Sequence, residues 1–168
     1  APLLFRVVEL GSGKDSELES IEARFHQREN GQFPVDVVIG TAAKVTELQT
    51  AVAEPLWDLP SYLISLRSWQ GAVGDVRESE VMRSRYLWKS RTTLASRETV
   101  HNALGQFPTV RFDGENRRVN RDGSPDTSID PRRYSIWISD DAARVPVQLV
   151  AKTDYGDIRM DLVEYVEP

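Results

Sequence analysis

The chain has 168 residues, no cysteine, and a formal net charge of −5 from 21 basic and 26 acidic side chains. With 40% apolar and 28% charged residues it suits one domain with a real core and is too apolar for disorder. These values exclude a disulfide scaffold, a cysteine nucleophile and thiolate metal sites, and they argue against a general nucleic-acid binder.

Taken in chain order, Pro2 to Leu10 is an apolar run that ends at the flexible turn Gly11-Ser12-Gly13. Ile21, Ala23 and Phe25 then alternate with Glu22, Arg24 and His26, which predicts a half-buried strand. Asn30-Gly31 supplies the residue types that accept positive φ in a hairpin turn. Phe33 to Ile39 reads as a further strand, with Pro34 near its start. Thr41 to Glu54 stays open, because Val45, Leu48 and Val52 also fall on a helical stripe.

One helix stands out. Asp58 is a good N-cap, Pro60 sits in the first turn, and Leu59, Tyr62, Leu63 and Leu66 follow at helical spacing up to Trp69, with Gly71 as terminator. Its apolar face predicts cover for one face or end of a sheet. Arg85 to Leu94 returns to strand, and Arg97 to His101 can continue it. Leu104 to Phe107 reads as a turn into the strand Thr109 to Phe112, and Asp113 to Asn116 as another turn. Asn120 to Arg133 reads as a long surface loop, with Arg117, Arg118, Arg121, Arg132 and Arg133 as a solvated basic cluster.

The chain closes on a three-stranded meander from Tyr134 to Val166, with turns at Ser139 to Ala143 and Asp154 to Asp157. Tyr134, Ile136 and Ile138 should share one face, as should Val145, Val147 and Leu149, and Ile158, Met160 and Leu162. Trp137, on the opposite pleat, then requires cover on the second face. The expected fold is mainly β: a curved antiparallel sheet, open barrel or sandwich with one short capping helix, in a single domain over residues 1–168.

Several of these pieces resemble the bacterial domain of unknown function 3108. They are Asp58 to Arg67, Arg97 to Val100 with Leu104 to Phe107, Trp137 to Val147, and Tyr155 to Leu162. Trp137-Ile138-Ser139-Asp140-Asp141-Ala142-Ala143-Arg144-Val145-Pro146-Val147 is the most specific match. The resemblance covers the last two-thirds of the chain, which leaves 1–57 divergent or truncated relative to the family. It implies an exported envelope protein of Gram-negative bacteria, periplasmic or associated with the outer envelope, with no assigned activity and no catalytic residue to carry over. A start at Ala1 rather than Met is compatible with a removed secretion signal. No apolar run reaches the length of a membrane span.

Catalytic candidates are scarce. Ser139-Asp140-Asp141 offers paired carboxylates or a hard-metal site, but a hairpin turn held by aspartate side chains, with Arg144 able to pair with Asp141, explains it better. Asp122-Gly123-Ser124-Pro125-Asp126 with Asp130 lacks the EF-hand spacing, and Gly11-Ser12-Gly13-Lys14 lacks the full phosphate-loop pattern. His26 and His101 are the only histidines and both read as surface residues. The expectation is therefore a protein without enzymatic activity, cofactor or metal. Its first reading is binding of an apolar ligand or lipid in the curved sheet. The alternatives are an accessory subunit that docks to a larger envelope protein complex and, last, a hydrolase. The candidate ligand or partner surface is Trp57, Tyr62, Trp69, Trp88, Trp137, Arg118 and Arg133.

Overall fold

In the computed structural model, which describes residues 4–10, 18–42, 44–52, 56–83, 86–120, 122–153 and 156–166, alternation has become strand almost everywhere. The first four strands, β1 (Leu4–Leu10), β2 (Leu18–Phe25), β3 (Phe33–Gly40) and β4 (Val45–Val52), form an antiparallel meander in that order. Asn30 (φ 49°) and Gly31 (φ 84°) both adopt the left-handed region, and Glu29 and Gln32 exchange backbone hydrogen bonds of 2.8 and 2.9 Å across them. This two-residue turn matches the right-handed twist of its strands. The ambiguous stretch after Thr41 is strand β4 rather than helix, because ladder pairing from Phe33↔Val52 to Gly40↔Val45 outbids its weak helical stripe.

A seven-stranded sheet follows, built from β5 (Leu56–Asp58), β6 (Val76–Arg83), β7 (Tyr86–Asn102), β8 (Gly105–Val119), β9 (Arg132–Ser139), β10 (Pro146–Thr153) and β11 (Gly156–Asp161). Its order is β11-β10-β9-β8-β7-β6-β5, with β5 parallel to β6. The single helix, α1 (Leu59–Arg67), begins where expected: the Asp58 carboxylate accepts the backbone N–H of Ser61 at 2.8 Å. The fold is thus mainly β and sandwich-like, two sheets and one short helix, with no closed barrel among the described residues.

The chain divides into two compact units. The first draws on the chain up to Tyr62, on Ser79–Lys89 and on Arg118–Asp126. Its core joins Ile21, Ala23 and Phe25 of β2 to Val35, Val37 and Ile39 of β3, with Leu56 and Met82 from the other sheet. The register Ile21↔Ile39, Ala23↔Val37, Phe25↔Val35 lines up all six on one face. Each of these side chains except the single methyl of Ala23 contributes about 1.5–3 kcal/mol on burial.

The second unit draws on Leu63–Glu78, Ser90–Arg117 and Thr127 onward. Phe112 lies opposite Ile136, and the Trp69 ring, just past α1, packs on Phe112 at 5.2 Å between centroids. Leu66 and Trp69 are buried, whereas Leu63 is only half-buried. Trp137 faces the other way. Its cover is polar: the Arg111 guanidinium lies 5.1 Å from its ring, and its Nε1–H donates to Glu98.

Two expectations need correction. Asp113 to Asn116 is not a turn but the middle of β8, paired in register from Asp113↔Ser135 to Asn116↔Arg132. Its glycine serves a close approach, since a Cβ on Gly114 would stand 2.0 Å from the Tyr134 ring. Arg117 and Arg118 accordingly lie in β8 and not in a loop, and Arg118 is largely covered. Val147 and Leu149 share one face as expected, opposite Leu162 and Met160, and only Val145, ahead of β10, falls outside the ladder. A bulge shifts the register, so Pro146 opposes Ile138 while Leu149 opposes Ile136. Ile158 and Met160 share a face of β11 as expected, and every residue from Gly156 to Asp161 is exposed. The turn at Gly11 to Lys14, Arg85, Arg121, and Asp154 with Tyr155 lie outside the described residues.

Candidate functional site

The inward row of the first sheet changes character along its length. On β2 it runs Phe25, Ala23, Ile21 and then Glu19; on β3 it runs Val35, Val37, Ile39 and on to Thr41; on β4 Leu48 gives way to Thr46. Apolar residues can close against the opposite sheet, but the polar end cannot be desolvated cheaply and leaves an opening. That opening is a cleft of about 600 Å³, inside the range of small-molecule sites. Val37, Ile39 and Leu48 line it on one side, with Met82, Leu87 and Val119 on the other, all within the first unit.

The mouth is polar. Glu19, Thr41, Lys44, Tyr86, Arg118, Asn120 and Asp126 border it. Arg118 donates from Nε to Asp126 at 2.6 Å, and its guanidinium lies 4.6 Å from the centroid of the Tyr86 ring. The backbone N–H of Asp126 also donates to Arg118 O (2.9 Å), which folds the loop after β8 back onto the strand end. Within that loop Asp122 accepts the Ser124 N–H and hydroxyl at 2.9 and 2.6 Å. The hydroxyl above all holds its carboxyl below the usual aspartate range. The segment that resembled a calcium loop is a self-bonded turn.

A second, more open groove of about 520 Å³ lies on the polar face of the second unit. It is lined by Arg91, Arg111, Asp113, Glu115, Arg133 and Lys152, among others. Its charges largely satisfy each other: Asp113 accepts from Arg111 (2.8 Å) and Ser135 (2.6 Å), and Glu115 from Arg117 (2.8 Å) and Arg133 (3.3 Å). Hydrogen bonding from Arg117, then the nearby guanidinium charges, lowers the Glu115 pKa.

The Ser139-Asp140-Asp141 cluster is a turn. One Asp141 oxygen accepts the Ser139 hydroxyl (2.8 Å) and the N–H groups of Ala143 and Arg144 (3.0 Å each), so the carboxyl sits below its ordinary value, chiefly through Ser139. The Arg144 guanidinium goes to Asp140 (3.5 Å) rather than to Asp141. It also donates to the carbonyls of Arg67 (3.0 Å) and Trp69 (3.3 Å), while Arg67 donates to Arg144 O and Ala143 O at 2.8 Å. This exchange satisfies carbonyls at the end of α1 that have no intrahelical partner. Arg144 itself adopts φ 49°.

The aromatic candidates are dispersed. Tyr62, Trp69 and Trp88 are buried, Trp57 and Trp137 half-buried, and Arg133 exposed. Trp57, Tyr62, Trp88 and Arg118 belong to the first unit; Trp69, Trp137 and Arg133 belong to the second. Of the seven, Arg118 lines the cleft and Arg133 the polar groove. Glu19, Lys44, Tyr86 and Leu87 were overlooked, although the change from apolar to polar along the inward row of β2 was a usable signal. His26 is exposed and bonded to Asp36 at 2.8 Å, and His101 is exposed. Among the described residues no three His, Cys, Asp or Glu side chains form a metal-holding group, and no helix is long and apolar enough to cross a membrane.

No curated protein and no solved structure matches the chain. A family model does, over residues 14–163, and this reaches well ahead of Asp58, where the resemblance in the sequence begins. With most of its length inside that match, the chain belongs to the DUF3108 family of proteins of unknown function.

Proposed function

We infer that this chain is a non-catalytic binding protein of the bacterial cell envelope, which holds an apolar or amphipathic ligand such as an acyl chain in the cleft of its first unit. The observation that carries the reading is the graded lining of the cleft: Val37, Ile39, Leu48, Met82 and Leu87 at the closed end, Glu19, Thr41, Lys44 and Arg118 at the mouth. An acyl chain laid on the apolar end gains about 25 cal/mol per Å² removed from water, without requiring a specific polar contact. A polar head then stays at the hydrated mouth, within reach of Lys44 and Arg118. No catalytic step is assigned, because the Asp122 and Asp141 carboxylates are committed to their own turns.

The test is titration of the purified chain with a fluorescent fatty acid, alongside native mass spectrometry before and after organic extraction. Saturable binding that is lost in Thr46→Trp, where the ring fills the cleft, supports the reading. Absence of both saturable binding and co-purifying lipid rules it out. Fractionation of the native host tests the envelope assignment separately: recovery of the protein in the cytoplasm removes that part alone.

A further inference from the structure

The apolar face of the seven-stranded sheet runs out before the sheet does. Phe112, Ile136, Leu149 and Met160 lie opposite one another in successive strands β8, β9, β10 and β11. Phe112 and Ile136 are buried and Leu149 half-buried, yet Met160 is 55% exposed and its neighbour in the row, Ile158, 42%. β11 is the terminal strand of the sheet. An edge strand is ordinarily protected by charged side chains, proline, a bulge or a covering segment. β11 has only the first, on one face, where Arg159 donates to Asp161 at 2.8 and 3.1 Å. Residues 156–166 contain neither lysine nor proline, and β11 pairs with β10 without a register shift.

The backbone pattern shows which groups the edge offers. Leu162 donates its N–H to Val147 O (2.9 Å), so by the alternation of an antiparallel ladder Met160 and Ile158 also bond inward. Asp157, Arg159 and Asp161 then direct their backbone groups outward. The same alternation places these three charged side chains on one face and Ile158 and Met160 on the other.

The geometry points to a second copy of this chain as the occupant of that edge, paired antiparallel through β11 with the two-fold axis at Met160. In this register Arg159 lies opposite Asp161 of the second copy, Asp161 opposite its Arg159, and Ile158 opposite its Leu162. The outward backbone groups of residues 159 and 161 make the new hydrogen bonds, and the exposed apolar row is shared across the junction. Neighbouring registers are disfavoured by charge: an axis at Arg159 sets arginine on arginine and Asp157 on Asp161, and an axis at Asp161 sets aspartate on aspartate. An axis at Ile158 pairs Asp157 with Arg159 but sets Met160 against Gly156. The product is one continuous sheet across two copies, independent of the cleft in the other unit.

Sedimentation equilibrium of the 168-residue chain over a micromolar concentration series is the test. The wild type is expected to dimerise, and Arg159→Asp to weaken the dimer about tenfold or more, since it sets like charges opposite each other at two symmetric positions. The double variant Arg159→Asp with Asp161→Arg restores complementarity for the Met160 axis but not for the Ile158 axis. Recovery of the dimer in the double variant therefore supports the assignment. A wild-type chain that stays monomeric throughout overturns it, as does a dimer indifferent to Arg159→Asp or one that the double variant fails to recover. Both residues lie at the exposed edge, and an unchanged melting curve shows that each variant is folded.

Discussion

The first meander, β1 to β4, and the last, β9 to β11, are written in the same alternating grammar but end in different environments. In the first, Ile21, Ala23, Phe25, Val35, Val37 and Ile39 are all buried, because Leu56 and Met82 meet them from the opposite sheet. In the last, burial decays strand by strand from Ile136 to Met160. Period-2 alternation specifies a strand and says which side chains share a face; it does not supply the surface that covers them. Cover comes from segments remote in the chain. The practical lesson is that an apolar row in a strand is core only where a second layer reaches it.

The sharpest way to break this comparison is to truncate one residue in each row. Ile21→Ala should cost about 2–5 kcal/mol in urea denaturation, as expected for a buried aliphatic truncation. Ile158→Ala at the exposed end, measured at a protein concentration low enough to keep the chain monomeric, should stay within about 0.5 kcal/mol. Equal effects would show that β11 is covered after all. The helix offers a finer contrast. Leu66→Ala should cost about 2–5 kcal/mol, whereas the half-buried Leu63 should lose only about 1 kcal/mol on the same change.

A third change probes tight packing inside the terminal sheet. Gly114→Ala drives a methyl into the Tyr134 ring and should destabilise by about 1–3 kcal/mol. Adding Tyr134→Ala should make the glycine change nearly neutral, and persistence of the full penalty would place the strain elsewhere. The smallest effect concerns the turn that joins β9 to β10. The Asp141 carboxyl is lowered in the folded state, so its stabilisation is complete above the unfolded value of about 3.9 and is lost as pH falls through the folded value. The stability gap between wild type and Asp141→Asn should therefore be largest near neutrality and shrink in acid. A gap that grows on acidification reverses the sign and refutes the hydrogen-bond account.

Much of the fold was legible. Asn30-Gly31, the Asp58 cap and the period-2 rows each act through backbone chemistry confined to a few residues, and the structure realises all three. Asp113 to Asn116 was misread for the opposite reason: Asp-Gly signals a turn locally, but here the glycine makes room for a ring 20 residues away. Arg144 was likewise assigned to Asp141, its neighbour in the chain, when carbonyls at the end of α1 sit within reach of its guanidinium. The cleft was expected among the tryptophans. It formed where an inward row turns polar, while Tyr62, Trp69 and Trp88 fill core instead.

The sequence by itself thus determined a mainly β chain with one capped helix and the position of most turns, because propensity, capping and alternation are properties of short segments. Only the tertiary structure decided which apolar rows became core, where the cleft opened and which strand was left at an exposed edge. These depend on pairing and layering between distant segments, and burial is settled only when a second surface arrives to exclude water.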